Sequence, residues 1–213
     1  MHVGMIGGIG PAATEFYYRN LVAVYHGGSS QLDLTIVHAD VNTLVTNIAS
    51  GAAAAEAQVY LELALRLQAA GADAIVISSI AGHFCVPQFE KITPLPILSI
   101  IPELNLEFRS KQLTRVGLLG NQVTMQSKLF GGINSAEILI PQGEDFDRVH
   151  DEYLQMATTG KVTEQQREQL FAIGKRLCTD QDAEVVLLAG TDLFLAFDGY
   201  DCGFVTMDGA LVH

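Results

Sequence analysis

The sequence predicts an α/β protein made of two pseudo-symmetric halves. Each is a parallel sheet between helical layers, a three-layer sandwich, and a cleft is expected between the halves. Three observations lead there. Short Val/Ile/Leu-rich runs alternate with helical patterns along all 213 residues, and such alternation means parallel strands joined by right-handed crossovers. The runs are apolar almost without interruption, as strands buried on both faces are. A strand–turn–helix unit also recurs. VGMIGGIGPAATEFYYRNL starts at Val3 and VGLLGNQVTMQSKLFGGI starts at Val116, an offset of 113. GADAIVISSIAGHF and DAEVVLLAGTDLFLAF form a second pair, in which Ser79 and Gly190 stand 111 apart.

In chain order, strands are expected at 2–6, 33–39, 73–78, 96–100, 115–120, 136–141, 183–190 and 203–207. Helical spacing covers 11–26, 52–70, 101–112, 124–132, 145–158 and 163–179. Val59, Leu63, Arg66 and Leu67 share one stripe of the second helix, and Leu170, Ile173, Gly174 and Leu177 one stripe of the last. The repeat divides the chain into a first half, 1–98, and a second half, 99–206, with the tail 207–213 returning to the first. No Ser/Gly-rich linker separates them, so the halves are expected to pack closely.

Composition narrows the function. Apolar residues make up 49% of the chain, enough for a sizeable core and too many for disorder. The formal net charge of −12 argues against a nucleic-acid groove and against docking on anionic lipid. No uncharged run of about 20 apolar residues offers a membrane span. MHVGMIGG enters a strand at once and lacks the basic start of a signal peptide. Cys85, Cys178 and Cys202 are odd in number and widely spaced, which suggests neither a zinc site nor a disulfide framework. A reducing cytoplasm is the simplest compartment, and no metal is expected.

Ligands of such sheets bind beyond the carboxyl ends of the strands, so four turns matter. The first is GGIGPAAT, Gly7–Thr14. Gly8 and Gly10 let backbone approach a ligand, Pro11 suits a first helical position, and the helix start suits an anion. A tight turn without a ligand is the equal alternative, and the pattern is not a dinucleotide fingerprint. The second turn, SSIAGH, sets Ser79 near His83. These are a nucleophile and base in one reading. In the favoured reading they are a capping serine and a polar lining residue. The third, GNQVTMQS, offers Asn121, Thr124 and Ser127 around a helix start, groups that suit a carboxylate or simply cap the helix. The fourth, LAGTDLF, has Gly190, Thr191 and Asp192. Asp192 reads as a base or, preferentially, as an acid favoured by the helix dipole.

At these four turns the chain resembles the aspartate/glutamate racemase superfamily. GMIGGIGPAATEFYY is close to that family's opening motif. GADAIVISSIAGHF resembles its segment ending Cys-Asn-Thr-Ala-His, GLLGNQVTMQSKLF its Gly-Thr-x-x-Thr-x-x-Ser segment, and LLAGTDL its Gly-Cys-Thr-Glu segment. The resemblance implies two similar α/β halves around an active site, no cofactor, a homodimer, and a small carboxylate or amino acid as substrate. It also implies one thiol on each side of the substrate α-carbon, each able to switch between acid and base because a thiol titrates near pH 8.5. The Gly7–Gly10 loop, His83, Thr124, Ser127 and Thr191 match the family. Ser79 and Gly190 fall where the two cysteines are expected, Ile80-Ala81 replaces Asn-Thr, and Asp192 replaces the glutamate. The segment 40–56 lacks the Lys or Arg expected for an acidic side chain, leaving Lys161 or Arg148 as stand-ins. Cys85, two residues past His83, is expected to point elsewhere.

The family reading is therefore a cofactor-independent, racemase-like isomerase with its two-thiol mechanism disrupted. Asp192 or His83 would be the base, with water opposite. A lyase or decarboxylase on the same scaffold is one alternative. A non-catalytic relative that binds a small carboxylate or a partner is the other.

Overall fold

The computed structural model describes residues 1–8, 10–26 and 31–213. They form two compact units, Met1–Ser99 and Ile100–His213.

The first unit runs β1 (His2–Gly7), α1 (Pro11–His26), β2 (Asp33–His38), α2 (Val41–Ala49), α3 (Ala53–Ala69), β3 (Ala74–Ile77), a 3-10 turn (Ala81–Cys85), α4 (Val86–Phe89) and β4 (Ile97–Leu98). Its four strands are parallel in the order β2-β1-β3-β4. The central strands β1 and β3 are buried nearly throughout, as their unbroken apolar runs require. Edge strand β2 instead mixes exposed and part-buried positions. Tyr60, Leu63, Ala64 and Leu67 of α3 pack with Ile6, Ile75, Ile77 and Phe89 in the core. Arg66, expected on that stripe, faces solvent, because the buried face advances through Ala64. Helix α2 was not expected. Asp40 caps it by accepting the Thr43 N–H at 2.8 Å.

The second unit runs α5 (Ile100–Ser110), β5 (Arg115–Leu119), α6 (Gln122–Gln126), β6 (Glu137–Leu139), α7 (Glu144–Thr159), α8 (Glu164–Gln181), β7 (Val185–Leu188), α9 (Phe194–Phe197), β8 (Thr206–Asp208) and α10 (Gly209–Val212). Its parallel order, β6-β5-β7-β8, is that of the first unit. Leu170, Ile173, Gly174 and Leu177 are all buried on α8. A capping box starts that helix, with Thr163 and Gln166 satisfying each other's backbone.

The tail 207–213, expected to return to the first half, belongs to the second. Met207 and Asp208 pair with Leu187 and Leu188, and Asp208 accepts the Ala210 N–H at 2.8 Å to start α10, which packs on α5. The edge of the second sheet thus offers β8 a parallel partner within its own unit.

The repeat extends to individual contacts. Val3 is registered with Ala74 and Val116 with Val185. A Cβ on Gly4 would lie 2.9 Å from Leu67 Cδ1, and one on Gly117 would lie 3.1 Å from Leu177 Cδ1. In both units glycine lets the returning helix lie close to the first strand. An acid ties the start of that strand in each: Asp73 accepts the His2 N–H at 2.7 Å, and Glu184 accepts the Arg115 N–H at 3.0 Å. The two units therefore repeat in packing as well as in order.

Candidate functional site

The first unit's strand-end cluster follows β1 and β3. Gly8 has φ of +95°, a conformation that glycine adopts without strain, and a Cβ there would strike the His38 ring. Its N–H donates to Thr14 Oγ1 at 2.8 Å, and the Thr14 hydroxyl donates to the Gly10 carbonyl at 3.3 Å. Ser78 Oγ lies 3.4 Å from Thr14 Oγ1 and donates to the Ile6 carbonyl at 3.3 Å. The glycine turn is thus laced together by Thr14 and Ser78, neither of which sequence reading singled out. A cavity of about 310 Å³ opens beside it, lined by Gly8, Pro11, Thr14, Tyr18 and His38 among others.

Ser79 and His83 follow β3, and both are buried. The Ser79 hydroxyl accepts the Gly82 N–H at 3.2 Å, so it caps the 3-10 turn. The His83 ring meets Ser79 through backbone: Nδ1 lies 2.8 Å from the Ser79 carbonyl. A carbonyl only accepts, so Nδ1 carries the hydrogen and in the neutral ring Nε2 is the basic nitrogen. Cys85 is fully buried and its thiol donates to the Gly82 carbonyl at 3.4 Å. Burial, with the negative charge of Glu56 nearby, pushes that thiol up to about 12. It carries no thiolate near neutral pH and is no substitute nucleophile.

The second unit's cluster follows β5 and β7. Asn121 caps α6, accepting the Thr124 N–H at 2.9 Å. Ser127 donates to the Val123 carbonyl at 2.6 Å and accepts the Phe130 N–H at 3.0 Å, which commits its hydroxyl to the chain itself. Thr124 differs. Its side chain is fully buried, and its Oγ1 has no hydrogen-bond partner among the described residues. Such a group costs about 1–3 kcal/mol of desolvation unless something supplies a partner.

After β7, Thr191 and Asp192 are 3% and 1% exposed. The Tyr153 hydroxyl, carried in by α7, donates to Asp192 Oδ2 at 3.3 Å. Burial, followed by the negative charge of Asp192, holds the Tyr153 phenol well above its ordinary range. A Cβ on Gly190 would fall 2.7 Å from Tyr153 Cδ2 and 3.1 Å from Cζ, so the ring fills the space a side chain at 190 would take. Sequence reading missed Tyr153; a tyrosine on the buried face of α7 was the available signal. Lys161 and Arg148, the expected stand-in cations, are both exposed. No cluster of metal-binding side chains occurs among the described residues, and none of their helices is long and apolar enough to cross a membrane.

Known proteins share this architecture. Residues 6–212 match the model of the Asp/Glu/Hydantoin racemase family. A candidate Asp/Glu racemase structure from Yersinia pestis superposes with a TM-score of 0.81 at 24% identity, over 100% of this chain and 96% of the other. An aspartate racemase homologue from Pyrococcus horikoshii gives 0.79 at 22% identity, over 100% and 95%. A glutamate racemase from Francisella tularensis, in complex with D-glutamate, gives 0.66 at 14% identity, over 99% and 77%.

Proposed function

Because the chain belongs to the Asp/Glu/Hydantoin racemase family, we propose that it is a cofactor-independent, racemase-like isomerase of a small amino acid or carboxylate. Chemistry other than a two-thiol exchange does the work. The observation that carries this reading is the buried polar set of the second unit. Thr124 keeps a hydroxyl with no partner among the described residues, and Asp192 is a buried carboxylate held by a phenol. Folding alone gains nothing from the Thr124 hydroxyl; a carboxylate ligand accepting its hydrogen would offset its desolvation.

In this reading Asp192 is the base, with water opposite; His83, whose Nε2 is the basic nitrogen, is the alternative. Loss of the Cα proton leaves an electron pair delocalised into the substrate carboxylate, and water returns a proton. Ser79 supports the 3-10 turn and does not act as a nucleophile, consistent with its bond to the Gly82 N–H. The test is deuterium incorporation at Cα of a panel of amino acids in D₂O. Exchange above buffer that falls at least tenfold in Asp192→Asn supports the reading, and no exchange across the panel refutes it.

A second reading is a non-catalytic binder of a small carboxylate. The filled space over Gly190 and the capped Ser79 hydroxyl favour it, since neither presents a reactive group. A thermal-shift screen separates the two, because a ligand of the folded state raises Tm by mass action. Stabilisation by a carboxylate that undergoes no Cα exchange selects the binder.

A further inference from the structure

We propose that Tyr153 is the positioning residue of the second unit's cluster: its ring closes the space over Gly190, and its hydroxyl holds Asp192 as the group through which this cluster handles a proton. The role in proton handling rests on the isomerase reading; the placement of Asp192 does not.

Three observations converge. Tyr153 is buried on α7, yet its one polar atom meets the carboxylate of Asp192 at 3.3 Å, in a turn formed by a distant part of the chain. The ring stands where a Cβ at 190 would be, within 2.7 Å of that position at Cδ2. Gly190 is therefore the residue type that admits the tyrosine, and position 190 itself offers a ligand no side chain. Thr191, between Gly190 and Asp192, is buried in the same turn. Glycine, tyrosine and aspartate thus form one unit, in which removing any member alters the other two.

The chemistry follows from the direction of the hydrogen bond. An ionised carboxylate only accepts, so the phenol donates and favours the charged form of Asp192. Burial and the adjacent carboxylate keep the phenol protonated, which makes Tyr153 a steady donor rather than a base. When Asp192 takes a Cα proton, a carboxyl O–H bond forms and the C–H electron pair stays on the substrate as an enediolate. Water then returns a proton to Cα, and the Asp192 carboxyl releases the one it took. Tyr153 fixes the orientation of the Asp192 carboxyl, and it does not itself exchange a proton with substrate.

The experiment compares wild type with Tyr153→Phe, which keeps the ring over Gly190 and deletes only the donor. The Asp192 carboxyl ¹³C resonance, assigned by its loss in Asp192→Asn, is followed through a pH titration in both proteins. Loss of a donor to the charged form should move its midpoint up by about half a pKa unit or more. An unchanged midpoint overturns the proposal, whether or not the protein turns over any amino acid. If wild type shows Cα exchange, Tyr153→Phe should slow it at least fivefold at neutral pH with Tm nearly unchanged. Undiminished exchange also overturns the proposal. A shifted midpoint without exchange in wild type upholds the positioning of Asp192 and defeats the isomerase reading instead.

Discussion

The strand-end clusters of the two units use the same residue types in opposite ways. In the first, Thr14 accepts the Gly8 N–H and donates to the Gly10 carbonyl, Ser78 donates to the Ile6 carbonyl, and Ser79 caps Gly82. Hydroxyls there hold the chain in its turns. In the second, Thr124 buries a hydroxyl that no described residue satisfies, and Asp192 is a buried carboxylate bonded by a phenol from another helix. A polar group that completes a turn stabilises the fold; one left over in the interior detracts from it. The difference teaches where to look for function. The hydroxyls of Thr14, Ser78 and Ser79 complete turns, as Asn121 and Ser127 do in the second cluster, but Thr124 completes none.

Substitutions can break or sharpen this contrast. The largest expected effect is at Gly190. An alanine there must displace the Tyr153 ring, and overpacking of a buried site costs about 1–3 kcal/mol. Urea denaturation of Gly190→Ala should show that loss, and a wild-type midpoint would mean the ring does not sit over position 190. Thr14→Val comes next. It leaves the Gly8 N–H without its acceptor and should cost about 1–3 kcal/mol in the same measurement.

Asp208 sharpens the contrast through pH. Burial pushes its carboxyl up to about 6 although it caps α10. A carboxyl raised in the folded state binds more protons there than in the unfolded chain, between its ordinary value near 4 and about 6. Stability therefore falls as pH rises through that window and is lowest above it. Asp208→Asn should be more stable than wild type by about 2 kcal/mol at pH 7 and show little gain at pH 4. A gain that does not depend on pH would contradict the assignment. The smallest effect has the opposite sign to that of Thr14. Thr124→Val removes an unpartnered hydroxyl and should be neutral or stabilising by about 1 kcal/mol, while weakening any carboxylate-induced rise in Tm. A loss of stability like that of Thr14→Val would erase the distinction between the two clusters.

Much of the fold was legible because the signals were local and repeated. The unbroken apolar runs of β1, β3, β5 and β7 mark strands buried on both faces, and the recurring strand–turn–helix unit anticipates two sheets of one strand order. Helix α2 was missed because VNTLVTNIA is rich in β-branched and polar residues; Asp40 was its cap signal. The tail was misplaced because three residues of strand carry no mark of the sheet they join. In the site, Ser79, His83, Asn121, Thr124, Thr191 and Asp192 were all visible as residues at strand ends. Their partners were not. Ser79's bond to Gly82 is local but depends on a 3-10 turn, and Thr14's bond to Gly8 needs the turn already folded. Tyr153 reaches Asp192 only through the packing of α7, which no spacing in the sequence encodes. Absence of a side chain at Gly190 read as an empty place. In the structure that place is filled by the ring of Tyr153.

The most direct test of the account is Cα deuterium exchange by wild type, measured beside Asp192→Asn over a panel of amino acids in D₂O. Exchange by wild type that falls at least tenfold in Asp192→Asn is the predicted result. No exchange by wild type, or exchange that Asp192→Asn leaves intact, would contradict it.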